Sequence, residues 1–247
     1  MSRTLVTCAS SDIGKAIIKK LEGDTIVATS RTKKKIRELE AEQNNVFGLE
    51  LDFSESKSID IALENEKLNS LDKIVIILPR ILPSRNIFPD NDVWMDSFRC
   101  IFVNPICFIK GLVEKGKIKN GASIVIISGL SSKHALENYA TNNVIRSAWV
   151  GQAKSMAIEL GERGISVNTL SLGGVMTETY RSKLEEKAKL KKMRYHDLME
   201  EETNNIPLRK YASVENVSEA IAAILGPLSD HMTGQNILLD GGFFRGY

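Results

Sequence analysis

No apolar run in this sequence approaches the roughly 18 residues that a membrane-spanning helix needs, so a helical membrane protein is not expected. A basic stretch, an apolar core and a small-residue cleavage site are also missing from the start, so no secretory leader is expected and a cytoplasmic location is. Cysteine is scarce: Cys8, Cys100 and Cys107 are the only three. They are too few for a disulfide framework and lack the paired spacing of a metal site. They read as small buried hydrophobes in a reducing compartment, and no metal is expected. Neither sign of charge is in excess. The 33 Lys and Arg set against 31 Asp and Glu leave +2, which argues against a general electrostatic nucleic-acid binder. No repeat, linker or change of composition interrupts the 247 residues, so one domain spanning 1–247 is expected.

Short β-branched runs alternate with longer amphipathic stretches. RTLVTCAS, DTIVATS, NVFGLELDFS and LDKIVIILP are strand-like, and the segments between them carry apolar residues at helical spacing: Ile13, Ile17, Ile18 and Leu21, then Ile36 and Leu39, then Ile59, Ala62 and Leu63. ASIVIIS, GISVNTLSL and GQNILLDGG add three more strands. Strand and helix alternating in this way require crossover connections, hence parallel pairing. The expected fold is α/β: a single Rossmann-type doubly wound parallel sheet of about seven strands with helices on both faces. Arg80 to Asp92 is Pro-rich and irregular. Residues 93–116 read as a long apolar helical pattern, with two helices meeting near Asn104-Pro105 because Pro disfavours helix at the preceding residue. Ser213 and Asn216 are both able to cap the last helix. Residues 177–206 form a Lys- and Glu-rich helical excursion, either a solvated face or a lid over a substrate.

A strand, a small-residue turn and a helix make the usual phosphate site, because helix N-terminal amides and the dipole face the anion. Here that turn is VTCASSDIGK, Val6 to Lys15. It resembles the TGxxxGxG turn of the short-chain dehydrogenase/reductase family, with Thr7, Ser10, Ile13 and Gly14 fitting and Cys8 and Asp12 replacing the first two glycines. Asp12 could repel a phosphate about 6 Å away by about 3 kcal/mol at an effective dielectric near 20. As a helix N-cap it would instead stabilise the helix by about 1 kcal/mol.

The resemblance covers most of the chain. Asp52, with Phe53 beside it in LDFS, stands where the family has its acidic residue near the adenine. SVN and LSLGGVMTE are similar to its VN…PGxxxT segment, with Gly173 in place of Pro; this implies that Thr177 and the backbone near Val175 contact the nicotinamide carboxamide. TGQNILLDGG looks like its C-terminal signature. At strand four the family's NNAG becomes Ile76-Ile77-Leu78-Pro79, which removes a polar anchor and crowds the adenosine ribose. Strand two ends in Ser30-Arg31 and carries no acid for the ribose 2′-hydroxyl; with Lys15 this favours NADP(H) over NAD(H), or no cofactor at all where the site is degenerate.

The family's Ser, Tyr and Lys are harder to place in SGLSSKHALENYATNNVIR, residues 128–146. Anchoring on Tyr139 puts Asn143 in the Lys position. Counting back from Val167-Asn168 puts Gly129 at Ser, Asn142 at Tyr and Arg146 at Lys, without insertion or deletion, and is preferred. Tyr139 then precedes Arg146 by seven residues, a spacing similar to the Tyr-x6-Lys of the enoyl-acyl-carrier reductase branch. The resemblance implies Tyr139 as proton donor, Arg146 and Asn104 in support, and Ser128 orienting the substrate. Lys133 and His134 are further acid–base candidates in the same loop. Two functions are therefore expected in competition: an oxidoreductase moving a hydride between NADP(H) and a carbonyl, alcohol or enoyl small molecule, and a non-catalytic binding or assembly subunit on the same fold. Both imply a homo-oligomer.

Overall fold

A computed structural model describes residues 1–80 and 86–246. Its strands are β1 (Arg3–Val6), β2 (Thr25–Ser30), β3 (Val46–Glu50), β4 (Leu71–Ile77), β5 (Ile118–Gly129), β6 (Ser166–Leu172), β7 (Val175–Met176), β8 (Ala212–Ser213) and β9 (Asn236–Leu239). Its α-helices are α1 (Asp12–Lys20), α2 (Lys33–Glu42), α3 (Ser56–Glu64), α4 (Asn91–Phe98), α5 (Asn104–Glu114), α6 (Ala140–Leu160), α7 (Glu178–Lys191), α8 (Tyr195–Thr203) and α9 (Val214–Ile224). Seven strands form one parallel sheet in the order β3-β2-β1-β4-β5-β6-β9. This is the doubly wound Rossmann-type architecture that the alternating pattern implies. The Pro-rich segment from Arg80 to Asp92 falls partly outside the described residues.

The sheet is buried on both faces, which explains why its central strands are continuously apolar and do not alternate. Ile74 and Ile76 of β4 and Ile124 and Ile126 of β5 pack with Phe108 and Leu112 of α5 and Trp149 of α6. Val75, Ile77, Val125 and Ile127 face the other way, against Ile17 and Ile18 of α1 and Val217 and Ile221 of α9. The period of two along a strand assigns each neighbour to the opposite layer. The VN pair of β6 has a structural use: Asn168 is fully buried, its Oδ1 accepts from Gln235 N at 3.1 Å, and its Nδ2 donates to the Met232 carbonyl at 2.9 Å. Both ends of one amide thereby tie β6 to the approach of β9. Ser213 and Asn216 cap α9 together, in a reciprocal capping box.

α5 does begin at Asn104-Pro105, but it runs on from α4 without a break. A π-helical turn over Arg99–Val103 joins α4 to α5, and Asn104 N donates back to the Arg99 carbonyl. Pro105 has no N–H to give to the carbonyl four residues earlier, that of Ile101. That carbonyl accepts the indole N–H of the fully buried Trp149 on α6 at 2.7 Å. Phe102 packs edge-on against the same indole, with centroids 5.4 Å apart. The small parallel pair β7–β8 was not anticipated, because two residues are too short to show a period.

Trp149→Phe retains most of the ring burial but withdraws the donor from the Ile101 carbonyl. A buried acceptor left unpaired costs about 1–3 kcal/mol, so the urea midpoint should fall with an unchanged slope. An unchanged midpoint would show that the indole bond contributes nothing net.

Candidate active site

The crevice opens where the carboxyl ends of β1 and β4 diverge towards opposite sides of the sheet, the usual ligand position in such folds. Thr7, at the end of β1, bridges the gap. Its Oγ1 donates to the Ile77 carbonyl and accepts from Ile77 N, both at 2.8 Å. The polar anchor expected to be lost with the family's NNAG is therefore supplied by Thr7 through the β4 backbone.

In the following turn Cys8 takes φ 46, the left-handed region that glycine adopts freely. Its side chain packs between the two core layers, and burial pushes its thiol up to about 11, so it stays protonated and unreactive. Ser11 is the N-cap of α1, accepting from Gly14 N at 3.1 Å; Asp12 is not. The Asp12 carboxylate instead accepts from Glu178 N at 3.1 Å, at the first residue of α7. Gly14 is fixed by close approach, since a Cβ there would lie 2.5 Å from the Ala9 carbonyl oxygen.

An outer cavity of about 390 Å³ is lined by Ser10, Ser11, Ser30, Arg31, Thr32 and Lys35, with Leu51, Phe53, Pro79 and Arg80 beyond them. Ser10 and Ser30 share a hydrogen bond at 3.1 Å. Lys35 was not anticipated, yet its signal was present: it stands one helical turn after Arg31 in RTKKK. Lys15 does not belong to this lining. It pairs with Glu42 at the end of α2 at 2.7 Å, which corrects its expected place beside a 2′-phosphate. Asp52 lies next to the cavity but is used locally, its Oδ1 accepting from both the backbone N and the hydroxyl of Ser54. Phe53 is buried in the cavity wall against Phe108.

The inner cavity, about 360 Å³, shares Ile77 to Arg80 with the outer one and is lined by Ile13, Ser128, Gly129, Arg146, Val175 and Thr177 among others. The guanidinium of Arg146 lies on Gly129: a Cβ on that glycine would come within 2.0 Å of Nη1. The structure thus places Gly129 and Arg146 together, as the uninterrupted count requires. Asn143, the alternative at the Lys position, bonds Leu136 N and O at 3.2 and 3.0 Å and closes the loop before α6. Burial lowers the pKa of Arg146, and the phenol of Tyr139 nearby opposes that fall. Tyr139 lines a further cavity of about 390 Å³ together with Asn142, Tyr180 and Tyr211, and Arg146 borders both spaces. Thr177 caps α7, accepting from Tyr180 N at 3.2 Å.

Asn104 is not part of this arrangement. Its Nδ2 donates to the Phe53 carbonyl at 2.7 Å, it lines neither space, and Ile101 from the π-helical turn takes the wall position. Lys133 and His134 are exposed and pack on the C-terminal segment, Lys133 over Phe244 and His134 edge-on to Phe243 and Phe244. Arg80, Tyr180, Lys183 and Tyr211 were not anticipated. Of the two tyrosines, Tyr211 is held by Glu202 and meets Tyr180 edge-on, and burial pushes its phenol well above the ordinary range, so it retains its proton.

With this geometry in view, the relatives agree. The family model described as Enoyl-(Acyl carrier protein) reductase matches residues 8–244. The L-xylulose reductase of Cavia porcellus is 30% identical over 245 residues, covering 98% of this chain and 96% of that protein. A short-chain dehydrogenase family protein from Francisella tularensis subsp. tularensis SCHU S4 superposes with a TM-score of 0.85 at 26% identity, covering 98% of both chains. The L-sorbose reductase of Gluconobacter frateurii, solved with NADPH and L-sorbose, shares the fold with a TM-score of 0.89 at 18% identity over 100% of this chain and 97% of that one. Matched along nearly its whole length, the chain belongs to the short-chain dehydrogenase/reductase family of oxidoreductases.

Proposed function

We propose that this chain is an NADP(H)-dependent reductase of small carbonyl or enoyl compounds, with Tyr139 as its proton donor. The observation that carries the reading is the pairing of a basic outer cavity with an inner cavity whose half-buried cation, Arg146, also borders the adjoining space lined by Tyr139. The donors in the outer cavity suit a phosphate monoester: Arg31 and Lys35 offer charge, Ser30 and Thr32 offer hydroxyls, and no carboxylate stands among the described lining residues. The capped N-terminus of α1 and the close approach at Gly14 suit the pyrophosphate. Ile13, Val175 and Thr177 would flank the nicotinamide, which when bound supplies or accepts the hydride.

The remaining work falls to the chain's own residues. Arg146 stays cationic and stabilises negative charge on the Tyr139 oxygen as a proton leaves it. It cannot itself relay that proton, because a guanidinium does not deprotonate in this range. Ser128, buried in the inner wall, offers a hydroxyl to a substrate oxygen. The reductase names of the relatives, and the NADPH bound by the sorbose reductase, support the direction and the cofactor.

A second reading has one observation in its favour. Gly129 and Asn142 occupy the positions counted for the family's Ser and Tyr, which describes a binding subunit that has lost its chemistry. Apolar side chains exposed on α4 and α6, among them Met95, Val144 and Ile158, support association into a homo-oligomer under either reading.

Fluorescence titration should show NADPH binding more tightly than NADH. Arg31→Ala and Lys35→Ala should each weaken NADPH about ten-fold while leaving NADH unchanged; preference for NADH would overturn the cofactor assignment. In assays with NADPH and a panel of ketones, enones and acyl thioesters, Tyr139→Phe should lower kcat by about a hundred-fold or more. Full activity in that variant would remove Tyr139 from the role, and tight binding without turnover of any substrate would favour the second reading. Light scattering should give a mass above that of one chain, and a monomer would contradict the association.

A further inference from the structure

Among the described residues, three cations, Arg80, Arg146 and Lys183, line the inner cavity and no Asp or Glu does. Arg146 is the innermost, lying against Gly129 at the end of β5. Its one hydrogen bond among the described residues is to Ser131 Oγ at 3.4 Å, long for a charged donor, and no carboxylate there lies within salt-bridge distance of it. The two acids that border the neighbouring space are already engaged. Glu202 pairs with Lys187 at 2.5 Å, and Asp240 accepts from Gly242 N at 2.9 Å and Phe244 N at 2.8 Å. A half-buried cation with one long hydrogen bond and no counter-charge is poorly satisfied, and an anion in the cavity would meet it.

Two buried polar atoms point to the same occupant. Ser128 Oγ, in a residue only 7% exposed, has no hydrogen-bond partner although it lines the inner cavity. Asn142 Oδ1, in a residue 1% exposed, is likewise without one and lines the adjoining space. A guanidinium fork and a free hydroxyl match the two oxygens of a carboxylate, and an amide oxygen matches a hydroxyl elsewhere on the same molecule. A neutral ribose would satisfy the hydrogen bonds but leave the charge of Arg146 unmet.

We propose that the inner cavity holds the carboxylate of the substrate on Arg146 and Ser128, which makes the substrate an oxo acid or the corresponding hydroxy acid. The assignment rests on the reductase reading for the word substrate, but the anion subsite itself is independent of turnover. Gly129 belongs to the same device, because any side chain there would displace the guanidinium.

Calorimetric titration of the full chain with acetoacetate and with methyl acetoacetate, each with and without saturating NADP⁺, tests it. Acetoacetate should bind about ten-fold or more tighter than its ester, and Arg146→Gln should abolish the difference. Ser128→Ala, which removes one buried hydroxyl and leaves the cation in place, should reduce the difference several-fold, so the test survives if the Arg146 variant fails to fold. Equal binding of acid and ester, no binding of either, survival of the preference in folded Arg146→Gln, or its disappearance once NADP⁺ is bound would each overturn the subsite. Binding of acetoacetate, with no turnover by NADPH of it or of any ketone, enone or acyl thioester in the panel, upholds the subsite while removing the reductase reading. Turnover of the ester at least as fast as the acid, without preferential binding of the acid, does the reverse.

Discussion

Burial of the central strands on both faces is the constraint from which the rest of this molecule follows. β4 and β5 have no solvent side, so every crossover must deliver a helix to one face or the other, and the loops are driven to the strand ends. Polar chemistry is then confined to the carboxyl edge, where β1 and β4 part company. Thr7 spans that parting with two hydrogen bonds to one residue of β4. With its hydroxyl in that place, the neighbouring strand can read Ile76-Ile77-Leu78-Pro79 and still be registered.

At the site itself, substitutions come in compensating pairs. A long planar cation at position 146 is compatible with the sheet only because position 129 carries no side chain. The left-handed Cys8 is accepted where glycine would be unstrained because its side chain fills space between both core layers. Asp12, an awkward charge near a phosphate site, is drawn off by the N-terminal backbone of α7, where a carboxylate complements the helix dipole. Each residue taken alone looks like decay of a motif. Taken with its partner it is a consistent local structure.

This pairing also explains what could be read in advance. The β-branched runs and helical spacings are local signals, and the doubly wound parallel sheet and the buried faces of α1 to α3 followed from them. The uninterrupted count between Gly129 and Asn168 found the right partners because it measured length, which folding preserves. Side-chain commitments across the fold were not legible. Lys15 is claimed by Glu42 from the far end of α2, and Asn104 by a carbonyl 51 residues away; nothing near either residue announces it. Ser11 took the cap from Asp12 because the choice between adjacent residues turns on backbone angles that the composition does not contain. Lys35 is the exception, since its spacing of four from Arg31 in RTKKK is a local signal.

Pro105 has an effect well beyond its own helix. By withholding an N–H it leaves the Ile101 carbonyl for the Trp149 indole, and Trp149 sits three residues after Arg146, one turn further along α6. The indole bond therefore acts as an index pin on that helix. Rotating α6 far enough to swing the guanidinium out of the crevice would pull a buried donor from its acceptor and drag the ring past Phe102. The angular setting of the cation is thus determined one turn further along its own helix, by a proline that lines none of the crevice.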